Sequence, residues 1–63
     1  MNTKMNLWQY HGIWFRLIND NSYYECSVIK DNIVLKSFRD NSPIEAELQA
    51  RAFCYEYIAS IKN

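Results

Sequence analysis

Between Ile13 and Phe38 the chain runs in short stretches of alternating apolar and polar residues, cut by two clusters of turn formers, Asn19-Asp20-Asn21-Ser22 and Asp31-Asn32. β-Branched and aromatic residues fill the stretches, and runs of that kind bounded by Asn, Asp and Ser predict antiparallel strands joined by tight turns. A two-residue turn at Asp31-Asn32 places Lys30 opposite Ile33, Val28 opposite Leu35 and Cys26 opposite Ser37. A four-residue loop from Asn19 to Ser22 places Ile18 opposite Tyr23 and Leu17 opposite Tyr24. Alternation then gathers Ile13, Phe15, Leu17, Tyr24, Cys26, Val28, Ile33 and Leu35 on one face, the predicted core. The other face receives Trp14, Arg16, Ile18, Tyr23, Glu25, Ser27, Ile29, Val34, Lys36 and Phe38, which is more apolar than contact with water requires. Upstream, Leu7-Trp8-Gln9-Tyr10 followed by His11-Gly12 reads in two ways. It is either an extra strand that could help to cover that second face, or the start of one continuous, bent first strand.

After Asp40 the pattern changes to a helical one. Ser42 as N-cap, Pro43 at the first helical position and Glu45 three residues after the cap form a capping box, with the carboxylate at the positive end of the helix dipole. Neither Gly nor a second Pro follows, so one helix about 30 Å long is expected over residues 43–61. At 100° per residue, Ala46, Ala50, Phe53, Cys54, Tyr57 and Ile61 fall on one stripe, assigned to the sheet. Ile44, Leu48, Ala52, Tyr55 and Ala59 form a second apolar stripe, and a helix on a single sheet needs only one.

The expected architecture is therefore α+β: an antiparallel three- or four-stranded meander over residues 7–39, followed by one long C-terminal helix packed on one sheet face. A flexible lead-in is expected over residues 1–6. Sixty-three residues make one domain, too small for a two-domain cleft enzyme. With 49% apolar and 16% aromatic residues the chain has the composition of one that folds. Seven basic residues balance seven acidic ones, which removes the broad positive field of a small nucleic-acid-binding domain. There is no apolar run of membrane-spanning length and no signal-like segment behind Lys4, so a cytoplasmic location is expected. Cys26 and Cys54 lie among apolar neighbours with no further cysteine to complete a metal pattern, and they read as reduced core thiols.

Chemistry-bearing constellations are sparse. His11, the single histidine, sits beside Gly12 in a turn with no nucleophile at a suggestive spacing. Glu45 and Glu47 are accounted for by the helix start, Asp20, Asp31 and Asp40 by turns, and one glycine cannot build a phosphate cradle. No enzyme activity, cofactor, metal or small-molecule substrate is expected. The sharper signal is the second sheet face, where Trp14, Tyr23 and Phe38 alternate with Arg16 and Lys36. Such residues suit a protein interface, and they are also the raw material of a platform for single-stranded nucleic acid. Glu25 on the same face and the balanced charge oppose the second use.

The ending Ser42-Pro43-Ile44-Glu45-Ala46 with Ala50, after strand, turn and strand, resembles the ends of many small bacterial meander-then-helix proteins. Among these are the antitoxin domains that neutralise mRNA-cleaving toxins. The proline-and-glycine segment usual before their helix is missing here. A four-strand-plus-helix order is also similar to the dimeric single-strand-binding coactivators, whose basic residues this chain lacks. Neither resemblance transfers a functional residue. The expected function is a non-enzymatic interaction module, working as a homodimer or docked on a larger protein through Trp14, Arg16, Tyr23 and Phe38 on the sheet and Ile44, Leu48 and Tyr55 on the helix. The alternative is a single-strand-binding or antitoxin-like regulatory domain that uses the aromatic sheet face.

Overall fold

Every connection between strands is two residues long. The structure, a computed structural model, describes residues 5–62. Strands β1 (Met5–Tyr10), β2 (Ile13–Asp20), β3 (Tyr23–Lys30) and β4 (Ile33–Asp40) form one antiparallel sheet in chain order, and helix α1 (Pro43–Lys62) follows. His11 and Gly12 have φ of 52° and 79°, and Asp31 and Asn32 have φ of 53° and 65°. Two left-handed residues in succession are what the tightest hairpin turn demands, and Asn, Asp, His and Gly are the residues that tolerate it. The middle turn, Asn21-Ser22, needs one such residue, Asn21 at 57°.

Two departures from the expected register have opposite consequences. The middle connection is two residues rather than four, so Asp20 pairs with Tyr23, Ile18 with Glu25 and Leu17 with Cys26. That slip of two leaves every side chain on its expected face, because side chains alternate with period two. The last hairpin begins as expected with Lys30 opposite Ile33 and Ile29 opposite Val34. Leu35 is then an extra residue, a β-bulge, after which Val28 pairs with Lys36, Ser27 with Ser37 and Cys26 with Phe38. A slip of one exchanges the faces. Lys36 and Phe38 therefore turn toward the helix, and Ser37 turns outward. The physical reason is burial: this register packs Phe38 against Phe53, with ring centroids 6.0 Å apart, and gives Ser37 the Ser27 hydroxyl as a partner. The bulge-free register would expose the ring and bury a hydroxyl beside Cys26.

β1 is a separate strand, with Trp8 opposite Phe15 and Tyr10 opposite Ile13. It extends the sheet sideways and does not cover the outer face. Strand β1 begins at Met5, and residues 1–4 of the expected lead-in lie outside the described residues.

The core lies between sheet and helix and consists of Ile13, Phe15, Cys26, Val28, Ala46, Ala50 and Cys54. Ala46 and Ala50 are small enough for the helix to lie close to the strands, and α1 packs on β3 and β4 with a lighter contact to β2. Rings close the margins. Trp8 stacks on Phe15 at 5.4 Å on the β1 side, and Phe53 stacks on Tyr57 at 6.2 Å beside β4. Two residues expected in the core are outside it: Ile33 at the last turn is 64% exposed and Ile61 is 60% exposed. Ile58 packs against the core in place of Ile61, since a 20-residue helix outruns strands of eight residues.

The helix start is capped as its sequence implies, with one substitution of roles. The Glu45 N–H donates to Ser42 Oγ at 3.5 Å and the Ala46 N–H to the Ser42 carbonyl at 3.1 Å. The return bond of a capping box, expected from Glu45, comes instead from Asp40, whose Oδ1 accepts the Ser42 N–H at 3.1 Å. Its other oxygen accepts from Gln49 Nε2 at 3.3 Å, tying the end of β4 to the second turn of the helix.

Candidate interaction surface

The helix covers one face of the sheet only. From the registers, the outer face is a grid of three rows running from β1 to β4. The row nearest the His11-Gly12 and Asp31-Asn32 turns reads Gln9, Trp14, Ile29, Val34. The middle row reads Leu7, Arg16, Ser27, Ser37. The third reads Ile18, Glu25, Arg39, with Tyr23 beyond it.

Large side chains stand on the β1–β2 half of the first two rows. Leu7 is 54% exposed, Trp14 is 40% exposed, and together with Arg16, Ile29 and Asn32 they line a shallow depression of about 500 Å³. Arg16 is half-buried, and its Nε is closed off from solvent with no acceptor, an unusual state for a charged donor. Among the described residues no carboxylate lies within ion-pair distance of it. The β3–β4 half of the middle row is low. Ser27 and Ser37 are linked hydroxyl to hydroxyl at 2.9 Å, and Ser27 is fully buried by its neighbours.

The far end of the face is polar and internally satisfied. Arg39 Nε donates to Glu25 Oε1 at 3.2 Å, and the guanidinium lies 5.2 Å from the Tyr23 ring centroid. The Tyr23 hydroxyl donates to Asp20 at 3.0 Å, and that bond, more than any other influence, holds its pKa above the ordinary phenol value. Over the whole face two arginines, Arg16 and Arg39, balance two carboxylates, Asp20 and Glu25, so it carries no excess charge.

The predicted sheet residues thus divide. Trp14, Arg16 and Tyr23 share the outer face, whereas Phe38 packs on the helix side. The three helix residues remain outside: Ile44 is 69% exposed, Leu48 is 53% and Tyr55 is 52%. Tyr55 is partly occupied, its ring meeting Tyr10 edge-on at 5.8 Å. Leu7 and Arg39 are additions to the predicted set. Leu7 needed β1 to be a paired strand, and Arg39 needed the bulge.

No group of three metal-binding side chain types comes together among the described residues. His11 occupies its turn and meets the Tyr10 ring edge-on at 4.3 Å. Cys26 and Cys54 are both buried and unbonded. Burial first, and the Glu47 carboxylate second, push the Cys26 thiol up to about 11, and burial raises Cys54 as well. A thiol that keeps its proton is a poor nucleophile. Comparison with protein-family models, with curated proteins and with solved structures returned no match. No helix among the described residues is long and apolar enough to cross a membrane.

Proposed function

We propose that the chain is a non-enzymatic protein-interaction module that docks through the outer face of its sheet. One observation carries this reading: the face opposite the helix bears Leu7, Trp14, Ile29 and Val34 around Arg16, and nothing among the described residues covers them. Contiguous apolar surface rimmed by polar groups marks interaction sites, and Trp, Tyr and Arg are the side chains that most often anchor them. A cytoplasmic setting belongs to the same reading, supported by two buried cysteines that are not bonded to each other. Single-stranded nucleic acid is the weaker occupant. The bulge takes Phe38 and Lys36 off this face, and Glu25 and Asp20 offset Arg39 and Arg16, which leaves little attraction for phosphate.

The reading is tested with a photoreactive amino acid incorporated in living cells at position 14, and separately at position 48 on the helix. Protein adducts are expected from position 14 and not from position 48. Adducts from neither position, or from 48 alone, would remove the sheet face as the docking surface.

A further inference from the structure

Resting on that reading, we infer that the occupant of the outer sheet face is a second copy of the same chain, paired face to face about a two-fold axis. Two observations carry this: the relief of the face and its size.

The relief is divided along the line between β2 and β3. On one side are the long side chains of Leu7, Arg16 and Trp14, and on the other the short ones of Ser27 and Ser37, with Ile29 and Val34 between them in size. A two-fold axis between the facing sheets, parallel to the strands and midway between β2 and β3, lays β2 over β3 of the second copy and β1 over its β4. Each row then meets itself reversed. Arg16 comes over the second copy's Ser27, Leu7 over its Ser37 and Trp14 over its Ile29. High meets low at every position of the middle row, twice by symmetry, which is the self-complementarity an isologous interface requires. The ion-paired cluster of Arg39, Glu25 and Tyr23 falls at the polar margin.

Size favours the sheet over the helix. Four strands about 4.8 Å apart and about seven residues long offer roughly 450 Å² of flat footprint. Two copies therefore pass about 1,000 Å² once side-chain relief is counted, the lower bound for a specific interface. The outer helix stripe from Ile44 to Ala59 is about 24 Å by 10 Å, and two such stripes give roughly half that area. Aligned sheets at about 10 Å separation are a common packing, and the two copies together would make a sandwich with helices outermost.

The experiment is light scattering and sedimentation of the full chain over a hundredfold range of concentration, with two variants. A reversible dimer is expected. Ser37→Tyr, which raises the low half at an exposed strand position that Tyr suits, should weaken it about tenfold or more while circular dichroism shows the fold kept. Leu48→Asp should leave the dimer unchanged. In a mixture of Leu7→Cys and Ser37→Cys chains, a short bis-maleimide should join unlike chains in preference to like ones. A monomer at every concentration, a dimer indifferent to Ser37→Tyr, or one lost with Leu48→Asp would each overturn the proposal. A monomer that still forms photoadducts with another protein from position 14 would remove the second copy and leave the interaction module standing. A monomer with no adducts would remove both.

Discussion

Ser27 and Ser37 face each other across β3 and β4 with their hydroxyls 2.9 Å apart, and they do so only because Leu35 bulges out of the strand between Val34 and Lys36. Without that bulge Ser37 would oppose Cys26 in the core. Deleting Leu35 removes the extra residue and leaves Val28 opposite Lys36, Ser27 opposite Ser37 and Cys26 opposite Phe38 in an unbroken ladder, so Phe38 stays on the helix side. The expected cost is about 1–3 kcal/mol, the burial lost with the Leu35 side chain. Urea unfolding of the deletion variant checks it, and a loss well above about 4 kcal/mol would mean that the bulge itself is needed to hold Phe38 inward. Ser27→Ala should cost only about 0.5–1.5 kcal/mol, since Ser37 is exposed and can turn to water.

The first turn is predicted to be improvable. His11 holds a left-handed φ of 52°, which Asn adopts more readily, and Asn-Gly is the preferred pair for this turn. His11→Asn should stabilise by a few tenths to about 1 kcal/mol. Gly12→Ala meets no atom within 4 Å, so its loss of about 1 kcal/mol is due to the φ of 79° alone. Thermal melts of the two variants should move in opposite directions, and a shared direction would contradict the turn geometry.

Two helix alanines should respond differently to enlargement. Ala50 is completely buried against the strands, and Ala50→Leu should destabilise by about 1–3 kcal/mol through overpacking. Ala52 lies on the exposed stripe, and Ala52→Leu should change stability by less than about 0.5 kcal/mol. Equal effects at the two positions would mean that the helix is rotated from the orientation described.

Both thiols should be inert until the chain unfolds. An aromatic disulfide reagent at neutral pH is expected to react slowly with the native protein and promptly with both cysteines in denaturant. Cys26 also predicts a pH dependence. Its folded pKa, about 11, lies above the open-chain value of 9.0, so the folded state holds the proton longer. The stability that this thiol contributes is intact below about pH 9 and is lost as pH rises toward about 11. The stability difference between wild type and Cys26→Ala should narrow over that window. A constant difference would place Cys26 in a wetter site than its burial implies.

Much of this fold was legible because hairpin turns and strand alternation are local signals. Asp31-Asn32 and Ser42-Pro43 announced a turn and a helix start without reference to the rest of the chain, and the whole order of meander then helix followed. A loop misjudged by two residues at Asn19–Ser22 did no harm, since the error preserved parity. The bulge at Leu35 was invisible for the opposite reason. No glycine or proline marks it, and it arises because Phe38 competes with Ser37 for a place against Phe53, a residue fifteen positions further on. That one residue separated the predicted site from the observed one: Phe38 and Lys36 left the outer face and Arg39 joined it. The unpartnered Nε of Arg16 depends on packing between strands and has no signature in the chain.

The two-residue connections reach beyond geometry into how quickly the chain finds its shape. Each strand pairs only with its neighbour in sequence, so the sheet can zip together one hairpin at a time with almost no loop to close. For a chain of this size, such short-range pairing implies folding within milliseconds. Docking of the helix is the single long-range step, and it is the step that locks Phe38 inward. The inward place of Phe38 thus rests on a contact with Phe53 that the hairpin alone does not contain.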